Sequence, residues 1–350
     1  MNDFLQNLYY WFSHNKRDLP WRTTKDPYKI WISEIILQQT RVDQGKAYYL
    51  KFIQHFPTVA DLAMSPEDEV LKLWQGLGYY SRARNLHYTA RYIQNELNGK
   101  FPKNYTELLQ LKGIGPYTAA AVASIAFNLR HAAVDGNIYR VLARYFGIHT
   151  PIDTGKGQKD FYELANKLLP EKNIGYHNQA LMEFGAIQCV PKSPDCSKCP
   201  VAENCYALNN GLADKLPVKT KLKKQRNRYF YYYFIDAGDY TYLEKRTRKD
   251  IWQNLFQFPL TEAKRNLTDK QILNSDKLRL FKKCDATIKN ISAAKKHILT
   301  HQVIFARLIH IKINNRNCLN GDFFQVNKKD ISTFAVPRLM EKFIQELKLV

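Results

Sequence analysis

Four cysteines, Cys189, Cys196, Cys199 and Cys205, fall within 17 residues of this 350-residue chain, separated by six, two and five residues in CVPKSPDCSKCPVAENC. Four thiolates at fixed short spacing point to a metal site before they point to disulfides, and they can hold zinc or an iron–sulfur cluster. Spacing alone does not choose between the two. Cys284 and Cys318 stand apart from this group and are expected to be buried or idle thiols. A metal loop near residue 200 also splits the chain into two stretches of different character.

From residue 1 to about 188 the apolar pattern is helical, interrupted by short turns at Phe56-Pro57, Asn98-Gly99-Lys100, Gly113-Ile114-Gly115 and Gly147. The reading is a mainly α domain of two helical lobes over 1–214, with the cysteine loop 189–205 at its end. KLPVKTKLKKQRNR then carries seven basic residues and almost no apolar ones, which makes 215–228 a solvated connector with a DNA-tracking strap as the alternative. Beyond it, RYFYYYFIDAGDYTYLEKR and HILTHQVIFARLIHIKI have the aromatic and β-branched composition of strands, so 229–350 reads as an α+β domain. A net charge of +21 points to a polyanionic partner, with nucleic acid ahead of an anionic membrane surface. No run of about 18 apolar residues appears, and acids, amides and a histidine stand where a signal peptide would be apolar, so a soluble intracellular protein is expected.

Two carboxylates stand out against this background. Asp26-Pro27 reads as the cap and first residue of a helix over 27–38, which places Glu34 among Trp31, Ile32, Ile35, Ile36 and Leu37. A solvated stripe is the ordinary reading, but a carboxylate shut among such residues would hold its proton. Asp135, in VDGNIYRVLAR, stands at the mouth of a helix beginning near Asn137, where free amides and the dipole favour the ionised form beyond its simple use as a cap. One acid that keeps its proton and one that loses it is the pairing used to break glycosidic bonds. Between them, LLQLKGIGPYTAAAVASIAF reads as helix, tight Gly113-Ile114-Gly115 turn and second helix. The backbone amides of that turn suit a phosphate.

These segments, in this order, resemble the helix-hairpin-helix DNA glycosylases with an iron–sulfur loop, most closely the adenine DNA glycosylase (MutY) family. LPWR, PYKIWISEIILQQTRV, QGLGYYSRARNL, LKGIGPYTAAAV, VDGNIYRVLAR, NQALMEFGAIQC and the cysteine loop carry the resemblance over nearly the whole chain. It implies a [4Fe-4S] cluster on Cys189, Cys196, Cys199 and Cys205. It also implies that Glu34 protonates the adenine ring and that Asp135 stabilises positive charge at the sugar, with Asn137 and Tyr117 beside the reacting centre. Trp21, Arg22, Leu37 and Glu183 match positions around an extruded adenine, and base extrusion must precede chemistry. Gln39 and Tyr79 match residues wedged into the duplex near the opposing base. Gly113, Gly115, Arg82 and Arg84 are the candidate backbone contacts, solvated arginines being the alternative for the last two.

Tyr117 stands where the related endonuclease III branch has a strand-cutting lysine, and Tyr139 replaces a lysine of some relatives, so base removal without strand cleavage is expected. IWQNLFQFPL resembles the entry to a Nudix-like domain that inspects 8-oxoguanine, yet no pyrophosphatase helix follows. Recognition without hydrolysis is therefore expected. Leu299-Thr300-His301 stands in place of Phe-Ser-His, keeping a hydroxyl in Thr300 and the histidine His301 but losing the aromatic. The function so implied is monofunctional excision of adenine opposite 8-oxoguanine or guanine in duplex DNA. The implied setting is the cytoplasm of a bacterial-type cell, at the nucleoid, as a monomer whose protein partners would come from replication or mismatch repair. A bifunctional glycosylase and lyase for oxidised pyrimidines and a non-catalytic iron–sulfur regulator are the competing readings.

Overall fold

The computed structural model describes residues 2–220, 225–315, 319 and 323–349. Two compact units emerge, one of Met1–Met64 and Asn85–Lys221, the other of Ser65–Arg84 and Leu222–Val350. The transfer of Ser65–Arg84 to the second unit was not visible in the sequence. The change of unit after Lys221 falls inside the basic run, whose residues 221–224 lie outside the described ones.

The first unit is helical. Asp26 caps the helix Pro27–Leu37 by accepting the Tyr28 N–H, and Pro27 supplies a preset first residue. Tyr28, Ile30, Trp31, Ile32, Ile35 and Ile36 are all buried, so the helix is apolar on most sides and lies inside the unit. It packs against Pro116–Phe127, whose run of alanines lets neighbouring helices come close, and that helix in turn packs against Ile174–Glu183. The turn before Pro116 needs Gly113: its φ is +83°, and a Cβ there would come within 2.7 Å of the Asn85 side chain. After Glu183 the chain makes a π-helical turn, Phe184–Gln188, and then enters the cysteine loop.

The second unit is α+β, as its composition indicated. Its main sheet runs Leu260–Ala263, Arg226–Asp236, Gln302–Ile313, Ala286–Ile291, with Lys295–Ile298 also paired to Gln302–Ile313. The central pair is parallel, from Arg226 opposite Gln302 to Asp236 opposite Lys312. Such a strand is covered on both faces. Phe230, Tyr232 and Phe234 share one core with Leu339, Met340 and Phe343 of helix Arg338–Glu346, while Tyr231, Tyr233 and Ile235 share another with Leu278 and Phe281. A smaller sheet orders Phe256–Gln257, Tyr240–Lys245 and Phe324–Asn327. Cys284 is fully buried, as expected, but disulfide-bonded and so not a thiol; Cys318 lies outside the described residues. Among the described residues no helix is long and apolar enough to cross a membrane.

Candidate active site

Glu34 ends up on the wall of a cavity of about 600 Å³ in the first unit, together with Tyr117, Asp135, Asn137 and Glu183. Its side chain is 7% exposed, so the solvated-stripe reading fails. One group answers it directly: the Tyr117 hydroxyl donates to Oε2 at 2.6 Å. Burial raises the Glu34 pKa to about 7, the Tyr117 bond lowers it, and the nearby Asp135 charge raises it again. Tyr117 is held far above its ordinary value by its own burial and by Glu34. At neutral pH this carboxyl is poised to hold or release a proton.

Asp135 caps the helix Gly136–Phe146. Its Oδ1 accepts the N–H groups of Asn137 (3.0 Å) and Ile138 (2.8 Å), and its Oδ2 accepts Asn137 Nδ2 (2.7 Å). Behind it Arg140 donates to Asn137 Oδ1, to the Gly185 carbonyl and to the Cys189 carbonyl, so the cap is braced against the start of the cysteine loop. The expectation that this environment simply favours the ionised form needs correction. Burial raises the Asp135 pKa, and the bonds from Ile138 and Asn137 and the Arg140 charge only offset it. The two acids differ in how many donors answer their burial: one for Glu34, three for Asp135.

Glu183 completes the cavity with a different electrostatic character. Arg17 grips both its oxygens (2.9 and 2.7 Å) and adds its backbone N–H, and Arg22 grips both as well (3.0 and 2.6 Å). Despite its burial, these bonds lower its pKa to about 2. Arg17 was missed in the sequence, where NKRDLPWR looks like an ordinary charged turn. Trp21 is buried edge-on to Tyr49, and Trp21, Arg22, Leu37, Gln39, Tyr139 and Gly115 all line the cavity. Gln39 adopts φ +57°, a left-handed conformation that non-glycine residues rarely hold. Gly115 caps Pro116–Phe127 with no side-chain acceptor.

Tyr79, Arg82, Arg84, Thr300 and His301 lie in the second unit. Thr300 and His301 form the tip of a hairpin closed by the Leu299 N–H on the Gln302 carbonyl at 2.8 Å. Gln225 braces the tip through the Leu299 carbonyl, and the Arg226 N–H through that of His301. Tyr79 reaches this tip, its hydroxyl 2.5 Å from Thr300 Oγ1. Leu299, half-buried, packs against the core and is not an aromatic. Arg82 and Arg84, expected at phosphates, are turned inward in the structure. Arg82 donates to the Leu77 and Gly78 carbonyls, Arg84 to the Gln253 carbonyl.

Cys189, Cys196, Cys199 and Cys205 line one small hollow in the first unit. Arg144 Nη1 donates to Cys189 Sγ at 3.3 Å, and the same guanidinium holds the carbonyls of Val190, Pro191 and Leu216. Among the described residues no group of three or more His, Cys, Asp or Glu side chains is arranged for a single metal ion.

A helical unit built on a glycine-turn hairpin, with paired acids in its cavity, and a separate α+β unit match the class of two-domain base excision DNA repair glycosylases. Residues 32–170 match the model of the HhH-GPD superfamily base excision DNA repair proteins, and residues 230–346 match that of the NUDIX domain. Among curated proteins, the adenine DNA glycosylase of Buchnera aphidicola subsp. Baizongia pistaciae is 36% identical over 99% of this chain and 97% of its own. That of Buchnera aphidicola subsp. Schizaphis graminum is 33% identical over 99% of both chains. Among solved structures, a thermostable thymine-DNA glycosylase covers 60% of this chain and 96% of its own, with 35% identity and a TM-score of 0.56. The chain belongs to the adenine DNA glycosylase family.

Proposed function

We propose that the protein hydrolyses the N-glycosidic bond of adenine paired with 8-oxoguanine or guanine in duplex DNA, without cutting the strand. The observation that carries this is Glu34: buried, answered by one hydroxyl, and with a pKa raised to about 7 in a cavity of about 600 Å³. An acid so tuned can protonate a ring nitrogen of the extruded base, which then departs with the bonding electron pair. Asp135, held by three donors, offers its charge to the cation left at the sugar, and water then supplies the hydroxyl and returns a proton to the emptied Glu34 carboxylate. Asn137 orients Asp135, and Tyr117 orients Glu34. Trp21, Arg22, Leu37 and Glu183 hold the base, Glu183 as an ionised acceptor. Tyr117 stands at the start of the helix Pro116–Phe127, and among the described residues lining the cavity no lysine offers the amine that would form a Schiff base.

On this reading residues 1–214 do the chemistry, 215–228 connect, and 229–350 read the opposing base through Thr300 and His301, aided by Tyr79 and Gln39. Gly113 and Gly115 present the hairpin to the DNA backbone, and the +21 charge supports duplex binding. The four cysteines line one hollow and supply the four thiolates that a [4Fe-4S] cluster takes. When bound, the cluster would cross-link the loop 189–205 and take no part in the bond cleavage. Iron and sulfide analysis of purified protein tests this assignment.

The test of function is a single-turnover assay on a duplex with one adenine opposite 8-oxoguanine, each time point divided between samples with and without hot alkali. Breaks that need alkali are expected. Breaks without alkali would overturn the monofunctional reading. Excision of thymine opposite guanine in place of adenine would move the protein toward the thymine-DNA glycosylase whose fold it shares.

A further inference from the structure

Tyr79 is presented by a turn that could not hold itself. Gly76, Gly78 and Tyr79 have φ of +99°, +72° and +46°, and at Tyr79 a bulky side chain occupies the left-handed region at a cost of roughly 1–3 kcal/mol. The ring is nevertheless 46% exposed, so burial does not hold it there. The support comes from beneath. The Arg82 guanidinium lies over the Trp74 ring at 5.2 Å and the Tyr79 ring at 5.7 Å, and its Nη2 donates to the carbonyls of Leu77 and Gly78, both at 3.3 Å. Trp74, fully buried, donates its indole N–H to the same Gly78 carbonyl at 3.1 Å. The Tyr80 hydroxyl donates to the Val336 carbonyl at 3.3 Å, which ties the turn to the C-terminal helix region of the same unit.

We infer that Arg82 is a positioning residue for reading the base opposite adenine: it locks the Gly76–Tyr79 turn so that the Tyr79 hydroxyl meets Thr300 before DNA arrives. One rigid body would then carry a ring able to enter a base stack and a hydroxyl pair able to address an oxidised purine, both preset. Arginine is suited to this because one guanidinium both reaches the two carbonyls through Nη2 and lies close to two rings; lysine offers only a compact, strongly hydrated point charge. This inference rests on the proposed reading of Tyr79 and Thr300.

The experiment compares Arg82→Met and Arg82→Lys with the parent on duplexes carrying adenine opposite 8-oxoguanine or guanine, measuring the dissociation constant and the single-turnover rate at saturating protein. Arg82→Met is expected to narrow the affinity preference for 8-oxoguanine over guanine by about tenfold, the scale of one lost desolvated cation–π contact. The saturated excision rate opposite guanine should stay within about twofold, and Arg82→Lys should recover part of the preference. Equal weakening on both duplexes would overturn the inference, because a phosphate contact or general loosening acts on both alike. So would a lysine variant as selective as the parent, which is the deciding comparison if Arg82→Met does not fold. Thr300→Val serves as the control. If it leaves the preference unchanged, the reading of the tip itself fails; if it reduces the preference while both Arg82 variants keep it, only the role of Arg82 fails.

Discussion

Glu34 in the first unit is buried with a single donor, the Tyr117 hydroxyl, and no ion pair among the described residues. In the second unit Asp250 and Glu262 flank Arg228, which grips both carboxylates with two donors each and adds Gln302, while Arg246 adds a further bond to Asp250. Glu244 beside them takes Lys277, the Gln257 amide and the Leu260 N–H. Asp250, Glu262, Glu244, Arg246 and Lys277 border a cavity of about 780 Å³, larger than the one around Glu34. Size therefore does not mark the reactive cavity. A carboxylate whose charge is already neutralised serves the fold, whereas one left short of partners can exchange a proton.

Breaking the contrast on the reactive side gives the largest effect. Glu34→Gln keeps the shape and an acceptor for Tyr117 but removes the proton, so single-turnover adenine excision should fall by about 10²–10⁴-fold with duplex binding retained. A variant that excises at the parental rate would remove Glu34 from the mechanism. On the paired side, Arg228→Met leaves Asp250 and Glu262 without their shared cation and should cost the second unit about 1–3 kcal/mol, less than a fully buried pair because the two carboxylates are 30% and 40% exposed and Asp250 keeps Arg246. Denaturant unfolding would show it as a loss of stability, with the excision rate of the protein that remains folded unchanged.

Why Glu34 was legible and Arg82 was not has a physical answer. Asp26-Pro27 fixes where the helix begins, so Glu34 among isoleucines follows from local periodicity, and Asp135 as a cap is equally local. The number of donors reaching each acid depends on Tyr117 and Arg140, which periodicity cannot bring to a given atom. Hence the burial of Asp135 outweighed what its helix end promised. Arg82 and Arg84 lie on a helix that looks solvated; Arg82 is turned inward onto Trp74 and the Leu77 and Gly78 carbonyls of the turn just before it, and Arg84 onto the sequence-distant Gln253 carbonyl. The parallel pairing of Arg226–Asp236 with Gln302–Ile313 is likewise a choice among distant partners. The alternation of aromatic residues named the strands without naming their neighbours.

The contrast sharpens when pH is varied. Glu34 has a folded-state pKa of about 7 against an ordinary value of 4.5, so its contribution to stability is fully present below the unfolded value and lost as pH rises through about 7. Glu34→Gln should therefore stabilise the protein by up to about 3 kcal/mol above pH 7 and by little near pH 4, read from unfolding curves at both pH values. In the parent, excision limited by this acid should decline above about pH 7. Glu183, in the same cavity, has the opposite sign: its pKa is lowered to about 2, so its contribution is present above the ordinary carboxylate range and lost as pH falls toward 2. A stability profile in which Glu34→Gln gave the same gain at every pH would mean that the acid is not short of partners in solution.

The smallest effect concerns the segment Ser65–Arg84, whose visible ion pair with the sheet is Lys245 on both oxygens of Asp68, at 2.7 and 2.8 Å. Asp68 is 47% exposed, so water already competes for it. Lys245→Ala should cost only about 0.2–1 kcal/mol, and less in high salt. The segment's other ties are sheltered: Trp74 is fully buried, Tyr80 holds the Val336 carbonyl, and Lys72 holds that of Phe334. Hydrogen exchange of residues 65–84 in the Lys245→Ala protein separates the two kinds of tie. Unchanged protection places the join in the buried contacts that also set the Tyr79 turn, whereas lost protection would give the exposed pair a weight that exposed pairs rarely carry.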